Sequence, residues 1–409
     1  MVQITTLPRK VVVLGAGYAG LLAATRLAKK IRHENVQITL VNASDTFVER
    51  TRLLQTATNQ DIKHYRIPDL LAGTRVQFVQ AWVTTLHPDT NQVTIQTATG
   101  DKTLAYDHLV YALGSITDRS SIPGITEHAY TVDPKSAQEL ANALPAVAKS
   151  KGNVLIIGGG ATGLEAVTEI AESYPDLQVS LVSREPNAAK LSPKGLKHLA
   201  KVLKRMKITA YDNTTVTRIH KDHVETTNGR KIPFVLCIFT GGFTATPLAK
   251  EAGLAVNPNG QILFDETMRS ISHPNIIVIG DAGIPCQPTI APVRMAMFTA
   301  LMMGTQGSDN LAAIIKGKSP KHFGLVYVGI GVSLGRKDCI IQFLRENDQP
   351  RNWIITGRMG VIYKEFFLRY AIWGIKIQRR APWLWYALGR RKANRNAKTV
   401  SSNTTPAKA

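Results

Sequence analysis

Two glycine triplets, Gly15, Gly17, Gly20 and Gly158, Gly160, Gly163, share the spacing G-x-G-x-x-G. Each follows a short β-branched run, VVVL before Gly15 and NVLII before Gly158, and each opens onto a stretch with helical apolar spacing. In a strand–turn–helix setting this pattern cradles a pyrophosphate. One glycine permits the tight turn, one lets phosphate approach the backbone, and one lets helix and strand pack closely. The anion is drawn to the helix N-terminus by unpaired amides and by the helix dipole. Two cradles in one chain suit two dinucleotides bound face to face, one a resident redox group and the other an exchanging hydride source. A duplicated fold with one empty site is the alternative.

The elements that must position these cradles are short strands alternating with helices. VQITLVN follows the first helical stretch, and its last residue, Asn42, takes the place where an acid ordinarily holds the adenosine ribose. Asn42 can still accept a hydroxyl hydrogen bond. After the second cradle, QVSLV ends at Ser183 and Arg184. An acid there would favour NADH, whereas an arginine accommodates the 2′-phosphate of NADPH, so Ser-Arg leans toward NADPH or tolerance of both. Glu165, in the first turn of the second helix, could hold the nicotinamide ribose or relay protons. It also reads as an acid that simply favours the helix dipole.

The 409 residues suffice for two or three domains, and 44% hydrophobic against 19% charged residues is ordinary for a chain that buries a core. Cys237, Cys286 and Cys339 are too few and too scattered for a disulfide framework or a zinc site, which fits a reducing, cytoplasmic-side location. The start MVQITTLPRK leads directly into the first strand, leaving no room for a signal segment, and no apolar run approaches bilayer-spanning length. The net charge of +21 is uneven: from Arg351 onward there are thirteen basic residues and one acid, Glu365. Such a tail suggests an anionic partner, a membrane surface or a nucleic acid.

YDHLVYALGS (106–115) reads as a strand ending in Ala-Leu-Gly-Ser, with Gly114 at the turn, and FDETMRSISHPNIIVIGDAG (264–283) as a strand ending in Gly280-Asp281. With the paired glycine motifs, these segments make residues 9–318 resemble the two-dinucleotide-fold flavoprotein oxidoreductases. Within them the chain is similar to the type II NADH dehydrogenase and ferroptosis-suppressor-like branch. The resemblance implies an α/β fold with two Rossmann-like domains. An FAD domain (1–118 and 262–318) would be interrupted by an NAD(P) domain (119–261).

By that resemblance the first cradle holds FAD and the second NADH or NADPH. Asp281 accepts from the ribityl hydroxyls of FAD. Arg52, in VERTRLLQ, passes near the flavin and would favour its anionic form, or lies on the surface. Relatives place the electron acceptor beside the start of the helix begun by APVRMAMFTALMMG (291–304). That makes Arg294 a candidate acceptor-site group. Met295, Met297, Met302 and Met303 are either a pliant lining or plain core. The redox cysteine pair carried by many relatives is missing from ERTRLLQTATNQ (49–60), which argues against disulfide reduction. The implied acceptor is a quinone, reduced without proton pumping. An NAD(P)H oxidase or a ferredoxin or rubredoxin reductase with a soluble acceptor is the alternative among enzymes. A polyanion-binding flavoprotein like the apoptosis-inducing factors is the alternative outside them.

The region 319–392 ends in VIYKEFFLRYAIWGIKIQRRAPWLWYALGRRK (361–392), where aromatic residues recur at helical spacing among Lys and Arg. Four of the five tryptophans lie at or after Trp353. This composition suits a helix lying in a membrane interface, placing the protein peripherally on the inner face of the membrane. Large aromatics among the cations suit a bilayer better than a phosphate backbone, so a nucleic-acid partner is disfavoured. Packing of this helix on its own core or in a homodimer is the competing expectation. Residues 393–409 read as a disordered polar tail.

Overall fold

The computed structural model describes residues 7–186, 190–289 and 291–383. The expected disordered tail (393–409) and the end of the aromatic segment (384–392) lie outside the described residues. Two five-stranded parallel sheets organise the chain. The first runs, edge to edge, through Ile276–Val278, His108–Tyr111, Arg9–Leu14, Val36–Asn42 and Val76–Gln80. The central strand ends in VVVL, a continuous buried run, because it is covered on both faces. The glycine turn after Leu14 sits where the strand order reverses, the crevice in which such sheets bind ligands.

The second sheet repeats the plan with Tyr130–Thr131, Leu236–Phe239, Asn153–Ile157, Gln178–Val182 and Thr209–Tyr211. All five of its strands fall in sequence between His108–Tyr111 and Ile276–Val278 of the first sheet. An antiparallel ribbon, Ser115–Thr117 against Phe243–Ala245, carries the chain across and back. Helix starts in this half are marked as the sequence chemistry demands. Asp133 accepts from the Ser136 amide at 2.9 Å, ahead of Pro134.

The C-terminal region contains the expected aromatic helix and, ahead of it, strands that the sequence reading did not foresee. Before the aromatic helix comes a three-stranded antiparallel sheet, Gly329–Ser333, Cys339–Leu344 and Pro350–Ile355. Its central strand is almost wholly buried, and glycines and a proline in the flanking strands hide their strand character. The helix Gly357–Ile377 then lies on this sheet. Gly360 permits the approach, since a Cβ there would fall 2.6 Å from the Cys339 carbonyl oxygen.

Leu368, Ala371, Ile372 and Ile375 form the buried stripe of that helix. Burial of the three larger ones contributes roughly 1.5–3 kcal/mol each. Its opposite face leaves Ile362, Phe366, Phe367 and Trp373 exposed. No described helix is long and apolar enough to cross a membrane.

A buried clamp ties this region to the first sheet. Arg26, 2% exposed on the helix Tyr18–Lys30, donates to Asp309 at 2.7 and 2.9 Å. It also donates to the Gln378 side chain at 2.7 Å, just beyond the end of the aromatic helix.

Candidate active site

At the first cradle, Gly15 has φ +94° and passes beneath Ala112, whose carbonyl oxygen a Cβ would meet at 2.4 Å. Gly20 lets the helix close on the turn, since its Cβ would lie 1.9 Å from the Gly15 oxygen. Gly17 is different: nothing lies within 4 Å of its Cβ position, and it starts the helix Tyr18–Lys30 without a side-chain cap. Open space at an uncapped helix start is what a phosphate requires.

Asn42 sits at the expected place with its carboxamide engaged. Its Oδ1 accepts from the Ala16 amide at 2.9 Å, and its Nδ2 donates to the Ser44 carbonyl at 2.8 Å. The side chain thus pins the glycine turn to the end of the second strand.

Gly114, at φ +72°, faces open space. Beside it the Ser115 hydroxyl donates to Asp281 Oδ2 at 2.8 Å, while Arg50 donates to the Ser115 carbonyl at 2.6 Å. Asp281 Oδ1 is buried and has no hydrogen-bond partner among the described residues. Burial pushes this carboxyl above its ordinary range, against the opposing pull of Ser115, Arg50 and the Ala296 amide. A buried carboxylate oxygen left unpaired calls for a donor, and a ligand hydroxyl is one.

The second cradle repeats the geometry. Gly158 has φ +121°, a Cβ on Gly163 would fall 1.7 Å from the Gly158 oxygen, and Gly160 faces open space at the start of the helix Ala161–Ser173. Thr240 braces the turn from below, donating to the Ile157 carbonyl at 3.0 Å. Ser183 is buried, fills the space beside Gly159 and donates its hydroxyl to the Glu185 carbonyl. Arg184 is 77% exposed, with Glu185 only marginally in reach at 4.0 Å.

Glu165 and Arg52 both meet the aromatic helix. Glu165 Oε1 accepts from the Ser333 amide at 3.0 Å and from Lys364 Nζ, which also donates to the Ser333 hydroxyl at 2.7 Å. Arg52 donates to both oxygens of Glu365, at 3.2 and 2.8 Å, and lies 3.4 Å from Glu49. Burial raises the Glu49 carboxyl despite the neighbouring Arg52. Arg294 is held apart from this group. It pairs with Asp348 and stacks over the Tyr327 ring at 4.9 Å. Its helix begins only at Met297, later than the sequence suggests, because Ala296 is extended. Of the four methionines, Met303 is fully buried as core and the other three are partly exposed.

The sequence pattern of the pyridine nucleotide-disulphide oxidoreductases matches residues 9–300. The chain belongs to that family. Among curated proteins it is similar to the type II NADH:quinone oxidoreductase of Staphylococcus aureus (strain MSSA476), 29% identical over 399 residues, covering 90% of this chain and 96% of the relative. Among solved structures it resembles the sulfide:quinone oxidoreductase of Aquifex aeolicus, with TM-score 0.79, 20% identity and coverage of 92% and 93% of the two chains. It also resembles NDH2 of Plasmodium falciparum in complex with NADH, with TM-score 0.75, 15% identity and coverage of 92% and 98%.

Cys237 and Cys339 are buried, Cys286 is exposed, and all three are free. Burial pushes the Cys339 thiol up to about 12 and Cys237 further still, so neither supplies a thiolate near neutral pH.

The residues that sequence reasoning missed are Arg50, Ser115, Thr240 and Lys364. Glu365 was visible as the one acid in a basic tail, a signal that it has a cation to meet.

Proposed function

We propose that the protein is a type II NADH:quinone oxidoreductase, with FAD at the first cradle, NADH at the second and a quinone reduced beneath the aromatic helix at a membrane surface. FAD, when bound, supplies a two-electron relay between nicotinamide and acceptor. Gly15, Gly17, Gly20 and the uncapped helix start would hold its pyrophosphate, with Asn42 keeping the turn in shape. Asp281 Oδ1 would accept a ribityl hydroxyl, and Gly114 would leave room for the ring system. Gly158, Gly160 and Gly163 would do the same for the nicotinamide dinucleotide. The exposed Arg184 makes NADPH acceptable as well, because a guanidinium suits a 2′-phosphate.

One observation carries the reading. Lys364 and Glu365 reach inward to Glu165 and Arg52, from the same helix whose outer face exposes Ile362, Phe366, Phe367 and Trp373. Reducing a quinone to a quinol takes two electrons and two protons, and a hydride brings both electrons and only one proton. The second proton must come from the protein or solvent. Glu165 Oε1, Lys364 Nζ and Ser333 Oγ form a hydrogen-bonded chain able to deliver it. Arg52, with its charge shared between Glu365 and Glu49, holds the aromatic helix against the 50–52 turn beside the site.

The outer face supports attachment to a bilayer. Phe366 stacks on Tyr370 and Tyr370 on Trp373, with ring centroids 5.9 and 5.5 Å apart. Arg358, Arg369 and Lys376 stand exposed among them. Aromatic rings at headgroup level flanked by cations are the composition of an interfacial helix. Attachment to the inner leaflet is the expected arrangement.

The test is an anaerobic titration with NADH and, separately, NADPH, following flavin absorbance, then addition of a short-chain quinone. Bleaching followed by fast recovery is expected. A flavin that bleaches and ignores quinone would move the acceptor to oxygen or a soluble protein. Flotation with anionic vesicles should persist at high salt through the aromatic face. Loss with salt, or self-association without vesicles, would turn that face over to polyanions or to a second copy of the chain.

A further inference from the structure

The hairpin of strands Val216–Ile219 and His223–Thr226 carries three ligating side chains in HKDHVE, residues 220–225. Ile219 pairs with Val224, so one further step of the register sets His220 opposite His223. The His220 amide donates to the His223 carbonyl at 2.8 Å and closes the turn. His223 and Glu225, two apart on one strand, share that face. The two rings stack with centroids 4.5 Å apart and planes 12° from parallel, so the His220 ring must turn out of the stack for both in-plane lone pairs to meet one ion. One ligand atom from each of His220, His223 and Glu225 lies within 4.8 Å of the others.

We propose that His220, His223 and Glu225 bind one divalent first-row transition-metal cation, of which zinc is the representative. The Nε2 atoms of both histidines are buried and lack hydrogen-bond partners among the described residues. His220 Nε2 lies 3.4 Å from Glu225 Oε1. That separation matches the edge of a tetrahedron whose metal–ligand bonds are ~2.0–2.1 Å. Arg218 and Lys231 stand opposite Glu225 on the two flanking strands, yet the carboxylate turns to His220.

His223 Nδ1 is 2.7 Å from Asp222 Oδ1. A proton on Nδ1 donated to that carboxylate leaves the Nε2 lone pair for the metal, the orientation that carboxylate partners impose on ligating histidines. Two imidazoles and one carboxylate suit zinc, copper or nickel, whereas calcium and magnesium prefer all-oxygen sets. Solvent supplies the fourth ligand, since all three residues are only partly buried. The Ile219 amide also donates to the Pro123 carbonyl at 2.9 Å, on the chain leading from the ribbon into the second sheet. Metal binding therefore stiffens the hairpin where it touches that crossing.

The test uses the full-length flavoprotein without a histidine tag. Calorimetric titration with zinc should show one saturable site per chain, and cobalt(II) should give the intense visible bands of a tetrahedral complex. His220→Ala and His223→Ala should each abolish the one-to-one binding while flavin content and circular dichroism stay unchanged. His223→Gln serves if either alanine variant misfolds. Asp222→Asn leaves all three ligands and should weaken zinc by about 10–100-fold. Absence of saturable binding, or cobalt bands unaltered in the His220→Ala and His223→Ala variants, overturns the site. Unchanged zinc affinity in Asp222→Asn overturns the positioning role of Asp222.

Discussion

Gly163→Ala tests whether the second cradle works as a pyrophosphate site. A methyl at 163 would sit 1.7 Å from the Gly158 oxygen and 2.9 Å from Thr240 Oγ1. Contacts below 3.0 Å are essentially never seen, so the helix start must retreat from the turn by more than an ångström. Forcing a methyl into a closed contact of this kind costs about 1–3 kcal/mol. The displaced helix start is the part that meets the phosphates, so much of that cost should appear as lost nucleotide affinity. At about 1.4 kcal/mol per tenfold, the dissociation constant for NADH should rise roughly 5–150-fold. Flavin content should not change, because the first cradle is built from other residues.

Gly160→Ala supplies the contrast. Its methyl meets nothing within 4 Å, so the free protein keeps its melting temperature and only nucleotide affinity falls. Stopped-flow flavin reduction against NADH concentration, with melting curves for both variants, measures all of this. A Gly163→Ala protein with wild-type melting temperature and wild-type NADH affinity would refute the steric argument.

Asp281→Ala removes the buried acceptor whose Oδ1 lacks a protein partner. A lost hydrogen bond to a charged group is worth about 1.5–3 kcal/mol, so flavin should bind roughly 10–150-fold more weakly, read from the flavin-to-protein ratio after dialysis. Lys364→Met should slow quinone turnover while leaving flavin reduction by NADH intact, and an equal loss in both half-reactions would remove Lys364 from the proton path. Arg184→Ala should weaken NADPH selectively, leaving NADH unaffected in the same titration. Asp309 gives the pH prediction. Burial works against its ionisation, but Arg26 and Lys30 outweigh burial and hold the carboxyl below its ordinary range. A depressed carboxyl contributes stability above the unfolded value, ~3.9, and loses it as pH falls through the folded one. Asp309→Asn should therefore cost about 3–5 kcal/mol near neutral pH and flatten the acid limb of a melting-temperature profile.

What could be read from the sequence was whatever a local spacing determines. The glycine triplets were legible because turn, phosphate approach and helix contact all lie within six residues, and each glycine's surroundings answer to one of those demands. Asn42 was legible as a position and not as a part. Its carboxamide reaches back to the Ala16 amide, 26 residues earlier, a bond no periodicity announces. The partners of Glu165 and Arg52 lie 199 and 313 residues away, and the sheet that brings the aromatic helix to them is masked by its glycines and a proline.

The aromatic helix shows how the two kinds of information meet. Its apolar and basic composition predicted a surface helix and left open what the helix is for. Its register answers part of that. Lys364, Glu365, Leu368, Ala371, Ile372 and Ile375 fall on one side, and Ile362, Phe366 and Trp373 on the other, as a period of 3.6 requires. Turning the helix by one residue, about 100°, would withdraw both charged side chains from Glu165 and Arg52 and bury the rings instead. The exposed aromatic face and the inward-turned charges are thus set by the same rotation. A composition of aromatics and cations alone would satisfy a membrane surface in any register. The lone carboxylate at 365, paired inward with Arg52 among thirteen cations, is what demands this one.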